Sequence, residues 1–192
     1  ARGGAGGALE LAVAPTFGWS YESGANASDA KVYGAILSAT KVVKSGLVLG
    51  IGASIVRQID ETKVFPYVIL QWQIDERWRV ANPFRAGPAG GAGLEVEYTV
   101  DNDWVIAAGG AYRSYRFRLN GDGAAADAIG ENRYFPVFAR LTRKLGARTN
   151  LDFYAGVSVR GRVSVDDGQD TEVVRDDYRT TPALGITLAH RY

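Results

Sequence analysis

The chain has 192 residues, 46% hydrophobic and 22% charged, with a formal net charge of +1. That is long enough to bury a core, too apolar for disorder, and too neutral for a dedicated nucleic-acid binder, which would show a basic face. Without Cys there is neither a disulfide framework nor a thiolate metal site, and no run of about 18 apolar residues supplies a membrane helix. A closed strand barrel is then the membrane-spanning architecture that stays open. The 24 Gly and 11% aromatic residues lean toward β structure, and a chain without Met is what a processed, exported product would give.

The first residues, 1–7, are Gly/Ala-rich and read as a flexible lead-in to one domain that spans 1–192. After them nearly every segment alternates with period two, the signature of half-buried strands. Leu9, Leu11, Val13, Phe17 and Trp19 share one face of the first segment, against Glu10, Ala12, Ala14 and Thr16. Ten strands are expected, over 8–21, 30–43, 46–58, 63–75, 77–82, 92–100, 103–119, 133–144, 149–165 and 178–192. Short turns rich in Asp, Asn, Ser and Gly fall at Lys44-Ser45, Asp75-Glu76, Asp101-Asn102-Asp103 and Lys144 to Arg148. Longer polar loops fall near 22–29, 57–62, 83–91, 120–132 and 166–177. Turns and loops alternate, so both termini and the short turns lie at one end of the sheet. The expected fold is all-β, a single up-and-down antiparallel transmembrane β-barrel of about ten strands, with eight as the alternative count.

Two features favour the apolar face as the outer one. Aromatic residues collect toward strand ends, with Trp19 and Tyr21 at the long-loop end and Trp72, Trp78, Trp104 and Tyr192 at the short-turn end. These six are the expected membrane-interface residues, flanking a band of Val, Leu, Ile and Ala. The opposite face carries small residues with Glu10, Glu95, Glu97 and Asp152 against Arg113, Arg140, Arg160 and Arg162. Such opposed charges suit a narrow, filled lumen, where buried ions must be paired and hydrogen-bonded.

The final strand, with Leu184, Ile186 and Leu188 leading to an aromatic Tyr192, resembles the terminal strand of bacterial outer-membrane barrels. His190 departs from it, standing where that family has an aromatic or aliphatic residue. The stretch from Phe65-Pro66-Tyr67 through Trp78-Arg79-Val80-Ala81-Asn82-Pro83 to Leu94–Trp104 resembles an uncharacterised family of small outer-membrane barrels. The resemblance implies a lipid bilayer with lipopolysaccharide as surroundings, and outer-membrane assembly machinery that reads the C-terminal strand. It also implies termini in the periplasm and long loops outside the cell. Barrel-type proteases and deacylases carry a catalytic His near the loop end, whereas His190 stands at the opposite rim.

Other chemistry is sparse. One His supplies no catalytic triad and no multi-histidine metal site, so no catalytic, cofactor or metal residue is expected. The glycine runs at 3–7 and 87–93 precede no helix that would cradle a phosphate. Asp166, Asp167, Asp170, Glu172, Asp176 and Asp177 crowd the last long loop and could attract cations at the cell surface. The leading expectation is a non-enzymatic barrel with a structural, anchoring or surface-interaction role, or a subunit of an envelope assembly with protein partners. The alternatives are a narrow diffusion pore for small charged solutes and a soluble lipocalin-like carrier.

Overall fold

Alternating apolar and small or polar residues make strands because a pleated backbone sends successive side chains to opposite faces. The computed structural model describes residues 7–82, 93–122, 125–126, 128–167 and 172–190. They form an antiparallel sheet of twelve strands: β1 (Leu9–Trp19), β2 (Lys31–Lys44), β3 (Leu47–Gln58), β4 (Glu61–Gln73), β5 (Trp78–Ala81), β6 (Gly93–Thr99), β7 (Trp104–Ala111), β8 (Arg113–Arg118), β9 (Ile129–Lys144), β10 (Thr149–Asp166), β11 (Glu172–Tyr178) and β12 (Thr181–His190). The only helix among the described residues is the 3-10 turn Ala27–Asp29, so none is long and apolar enough to cross a membrane.

Successive crossings of the sheet pair antiparallel in an up-and-down meander, as the alternation of turns and loops predicts. The strand count differs from ten for a local reason. Tyr112 interrupts the seventh expected strand, leaving β7 and β8 end to end along β9 in one unbroken register. β11 and β12 likewise share β10, on either side of Arg179 and Thr180. Twelve strands therefore make ten crossings of the sheet. The sheet is open along one seam, since β1 pairs with β2 alone and β12 with β10 alone among the described residues.

Three expected loops are corrected, and in the first, 120–132, the residues from Ile129 onward already belong to β9. The connection near 57–62 is a tight turn in which Gln58 faces Glu61 and Ile59 adopts a positive φ of 63°. Gln58, Asp60 and Glu61 give the stretch the polarity of a longer loop, and Ile59, a β-branched residue, is strained at that φ. In the stretch expected as loop 166–177, the segment Glu172–Tyr178 is strand β11, its carboxylates spread along an edge.

Two short turns are built alike. Asp75 accepts the backbone N–H groups of Arg77 and Trp78, each at 2.8 Å. Asp101 does the same for Asp103 and Trp104, again at 2.8 Å. Each Asp-x-x-Trp turn thereby fixes a Trp at the start of the next strand.

The sheet curls. Lys63 of β4 reaches Glu131 of β9 at 3.0 Å, and Arg116 of β8 reaches Glu61 at 2.6 Å, although several strands separate them in the sheet order. The concave face holds small apolar residues around Phe138, whose cross-strand partners Gly109 and Gly156 leave room for its ring. A Cβ on Gly109 would stand 3.1 Å from Phe138 Cζ. The convex face carries the large aliphatic residues, with Leu11 72%, Ile51 69% and Leu184 87% exposed.

Candidate functional site

The strand alternation that exposes Leu94, Val96, Ile106 and Leu141 turns Glu95, Glu97 and Arg140 to the concave face. Arg140 of β9 is the hub. It donates to Glu95 through two N–H groups, one of them at 3.1 Å, to Glu97 at 3.0 Å and to Asp152 at 3.4 Å. It also donates to the Thr142 hydroxyl, which itself donates to Asp152 at 2.5 Å. Glu97 is shared with Arg79 of β5 at 3.2 Å. Glu95 is 3% and Asp152 5% exposed, so these carboxylates depend on the guanidinium for compensation.

A second cluster lies nearer the long-loop end. Glu131, 2% exposed, accepts from Lys63 at 3.0 Å and from Ser114 and Arg133 at 2.6 Å. Arg116 adds Glu61 at 2.6 Å, Asp60 at 3.3 Å and Asp166 at 3.6 Å. Over this cluster the segment after β1 folds onto the end of β8. Ser20 Oγ donates to Arg116 O at 2.6 Å, Arg118 N–H donates to Ser20 O, and Glu22 N–H donates to Arg118 O. Asn26 caps the 3-10 turn by accepting Ser28 N–H at 3.1 Å, the role this Asn-Ala-Ser stretch has in the fold.

The structure joins Glu95, Glu97, Asp152 and Arg140 of the eight expected lumen charges. Glu10 is exposed on β1, which has only one paired edge among the described residues. Arg160, with φ 52°, sits at the bulge between Val159 and Arg162 and is exposed. Arg162 instead pairs with Asp177 of β11 at 2.7 Å, and Arg113 is half-buried on β8. For Arg160 and Arg162 the bulge is the reason, since one extra residue breaks the alternation that places side chains by parity.

The acidic group disperses. Asp166 joins Arg116, Asp177 joins Arg162, Glu172 pairs with Arg175 at 3.4 Å, and Asp167 and Asp176 are exposed. Asp170 lies outside the described residues, and among those described no three His, Asp or Glu side chains converge to hold a metal ion. Of the aromatic set, Trp19 meets Phe17 edge-on at 4.7 Å and Tyr21 bridges to Arg118. Trp72 lies under Lys44, Trp78 against Tyr98, and Trp104 under Arg143. Tyr192 lies outside the described residues, as do residues 1–6 of the lead-in.

Sequence reasoning missed Lys63, Arg116, Glu131 and Arg133. Lys63 was legible, since it shares its parity in β4 with Gln71 against Val64 and Val68. Glu131 stood in an expected loop, and no local pattern points to it. At the short-turn rim, Asp75 has its carboxyl held below the ordinary range by the N–H groups of Trp78 and Arg77.

No match was found among curated proteins or among solved structures. A family model described as a domain of unknown function (DUF6268) does match residues 20–185, and the chain belongs to that family.

Proposed function

We propose that this chain is an integral barrel of a bacterial outer membrane, without enzymatic activity, serving a structural, anchoring or surface-interaction role in the envelope. One observation carries the reading, the inverted partition of side chains. Charged Glu95, Arg116, Glu131 and Asp152 are buried on the concave face, while Leu11, Ile51, Leu184 and Ile186 are exposed on the convex one. A soluble carrier would bury the second set and expose the first. Lipid solves the problem that water would pose for the convex face.

The reading requires a closed ring. β1 and β12 have matching lengths of 11 and 10 residues, run antiparallel, and each leaves one edge unpaired. Pairing them satisfies both edges, which a bilayer demands of every backbone group. In this orientation the termini and short turns face the periplasm and the long loops face outward.

Ion pairs fill the interior at two levels, and the segment around Ser20 and Glu22 covers its long-loop end. That filling favours a plug over a channel, in keeping with barrels of about eight strands, which side chains fill. The second reading, a narrow pore for small charged solutes, draws on the charged lining itself. Planar-bilayer recording decides between them. The plug predicts a silent membrane with the folded protein inserted, and steady unitary openings would replace it with the pore. Extraction without detergent as a monodisperse species would refute the membrane barrel altogether.

A further inference from the structure

We propose that Lys31 and Arg57 bind the phosphate-bearing headgroup of a membrane lipid on the outward face of β2 and β3, at the long-loop end. The inference rests on the membrane-barrel reading and deepens it by giving the barrel a specific lipid contact. Three features of the outward face support it.

The first is register. Tyr33 faces Arg57 across β2 and β3, and Phe17 faces Tyr33 across β1 and β2. Lys31 stands two residues beyond Tyr33, diagonal to Arg57 at roughly 7–8 Å by sheet geometry. Lys31 and Arg57 are both exposed, and no described carboxylate pairs with either. Two neighbouring cations on a face that otherwise meets lipid repel each other unless an anion lies between them. A phosphate does this with the guanidinium fork on one side and an ammonium on the other.

The second is what lies around and beneath. Phe17, Trp19 and Tyr33 are 67%, 55% and 48% exposed beside the two cations, the setting of a headgroup boundary. From Pro15–Val64 down to Leu11–Val68, three successive cross-strand rows on β1 to β4 contain only Pro, Ala, Val, Leu and Ile. Acyl chains of a lipid anchored at Arg57 would lie over those rows.

The third is spacing. The apolar rows end at Lys41, eight residues along β2 from Tyr33. At about 3.4 Å per residue and a strand tilt near 40°, that separation spans roughly 20 Å of membrane depth, close to the apolar band of about 25 Å in such barrels. Lys31 and Arg57 thus sit at one border of the band and Lys41 at the other. A free phosphate would gain nothing from this placement, whereas a lipid uses both the charges and the rows below them.

The test uses the full chain inserted in phosphatidylcholine vesicles doped with diphosphoryl lipid A, then released into mild detergent for native mass spectrometry. The double variant Lys31→Gln with Arg57→Gln should hold lipid A about 30-fold more weakly, the effect of losing two surface cations. Lys31→Arg should hold it as the parent does, and Lys41→Gln, at the opposite border, should leave it unchanged. Equal retention by the double variant overturns the site, as does an equal loss from Lys41→Gln. Displacement of lipid A by millimolar inorganic phosphate would also overturn it, reducing the pair to an anion site. Failure of the parent chain to enter vesicles would instead refute the barrel reading on which the site rests.

Discussion

Replacing Arg140 with Met is the sharpest probe of the interior. The side chains are similar in length, so little volume is lost, but every hydrogen bond that Arg140 donates to Glu95, Glu97, Asp152 and Thr142 disappears. Glu97 keeps Arg79, and Asp152 keeps the Thr142 hydroxyl. Among the described residues Glu95 has no second cation, and it is 3% exposed. Removing one partner of a buried ion pair costs about 3–5 kcal/mol, because the other charge stays desolvated. Removing both should be far milder, so Arg140→Met with Glu95→Leu should recover at least half of that loss, a strong coupling in a double-mutant cycle. Arg140→Lys should fall between, since an ammonium keeps the charge without the fork that reaches Glu95 twice. Urea unfolding in lipid vesicles, followed by tryptophan fluorescence and heat-modifiable gel mobility, measures the parent, Arg140→Met, Glu95→Leu, their double variant and Arg140→Lys. A loss below about 1 kcal/mol for Arg140→Met would refute a buried, guanidinium-dependent network.

Four further outcomes are expected. Leu37→Arg, midway along β2 between Tyr33 and Lys41 on the outward face, should cost about 2–4 kcal/mol in vesicle unfolding, whereas tolerance would reverse the faces. Ile59→Gly should gain about 1 kcal/mol by relieving a φ of 63°, and a loss on urea unfolding would show that the turn is not strained. Backbone amides along both β1 and β12 should be protected from hydrogen exchange when the chain is folded in vesicles, and fast exchange along the free edge of either strand would refute closure of β1 on β12. The contribution of Asp75 has a defined sign. Its carboxyl titrates lower in the folded chain than in the unfolded one, so its stabilisation is present above the ordinary carboxylate range and is lost as pH falls below it. Asp75→Asn should flatten that acid limb in a pH series of unfolding midpoints.

The strands were legible because burial of one face imposes a period of two that no turn or loop chemistry mimics over ten or more residues. Leu9 to Trp19 and Leu184 to Leu188 declare an apolar face without any structure. The hairpins at 44–46, 75–77 and 101–103 were equally open to reading, since Asp, Ser and Gly do there what their side chains and backbones do in any turn. The turn at 58–61 was not, because Ile59 stands where turn chemistry would put Gly or Asn.

Half of the Arg140 cluster follows from parity alone: Glu95 and Glu97 on one strand, Arg140 and Asp152 on two others, all on the polar side. Their meeting does not. Parity assigns a face, but only register assigns neighbours, and register comes from turns and bulges. Arg160 and Arg162 show the difference, because the extra residue at 160–161 of β10 breaks the alternation and leaves Arg162 against Asp177.

By itself, then, the sequence determined an antiparallel meander with one apolar face, because alternation is a local property written residue by residue. The curl of the sheet was decided by tertiary structure alone, and with it the contact of Lys63 with Glu131 and of Arg116 with Glu61. Those residues lie 68 and 55 positions apart, and nothing local in a chain encodes which distant charge will neutralise a buried one.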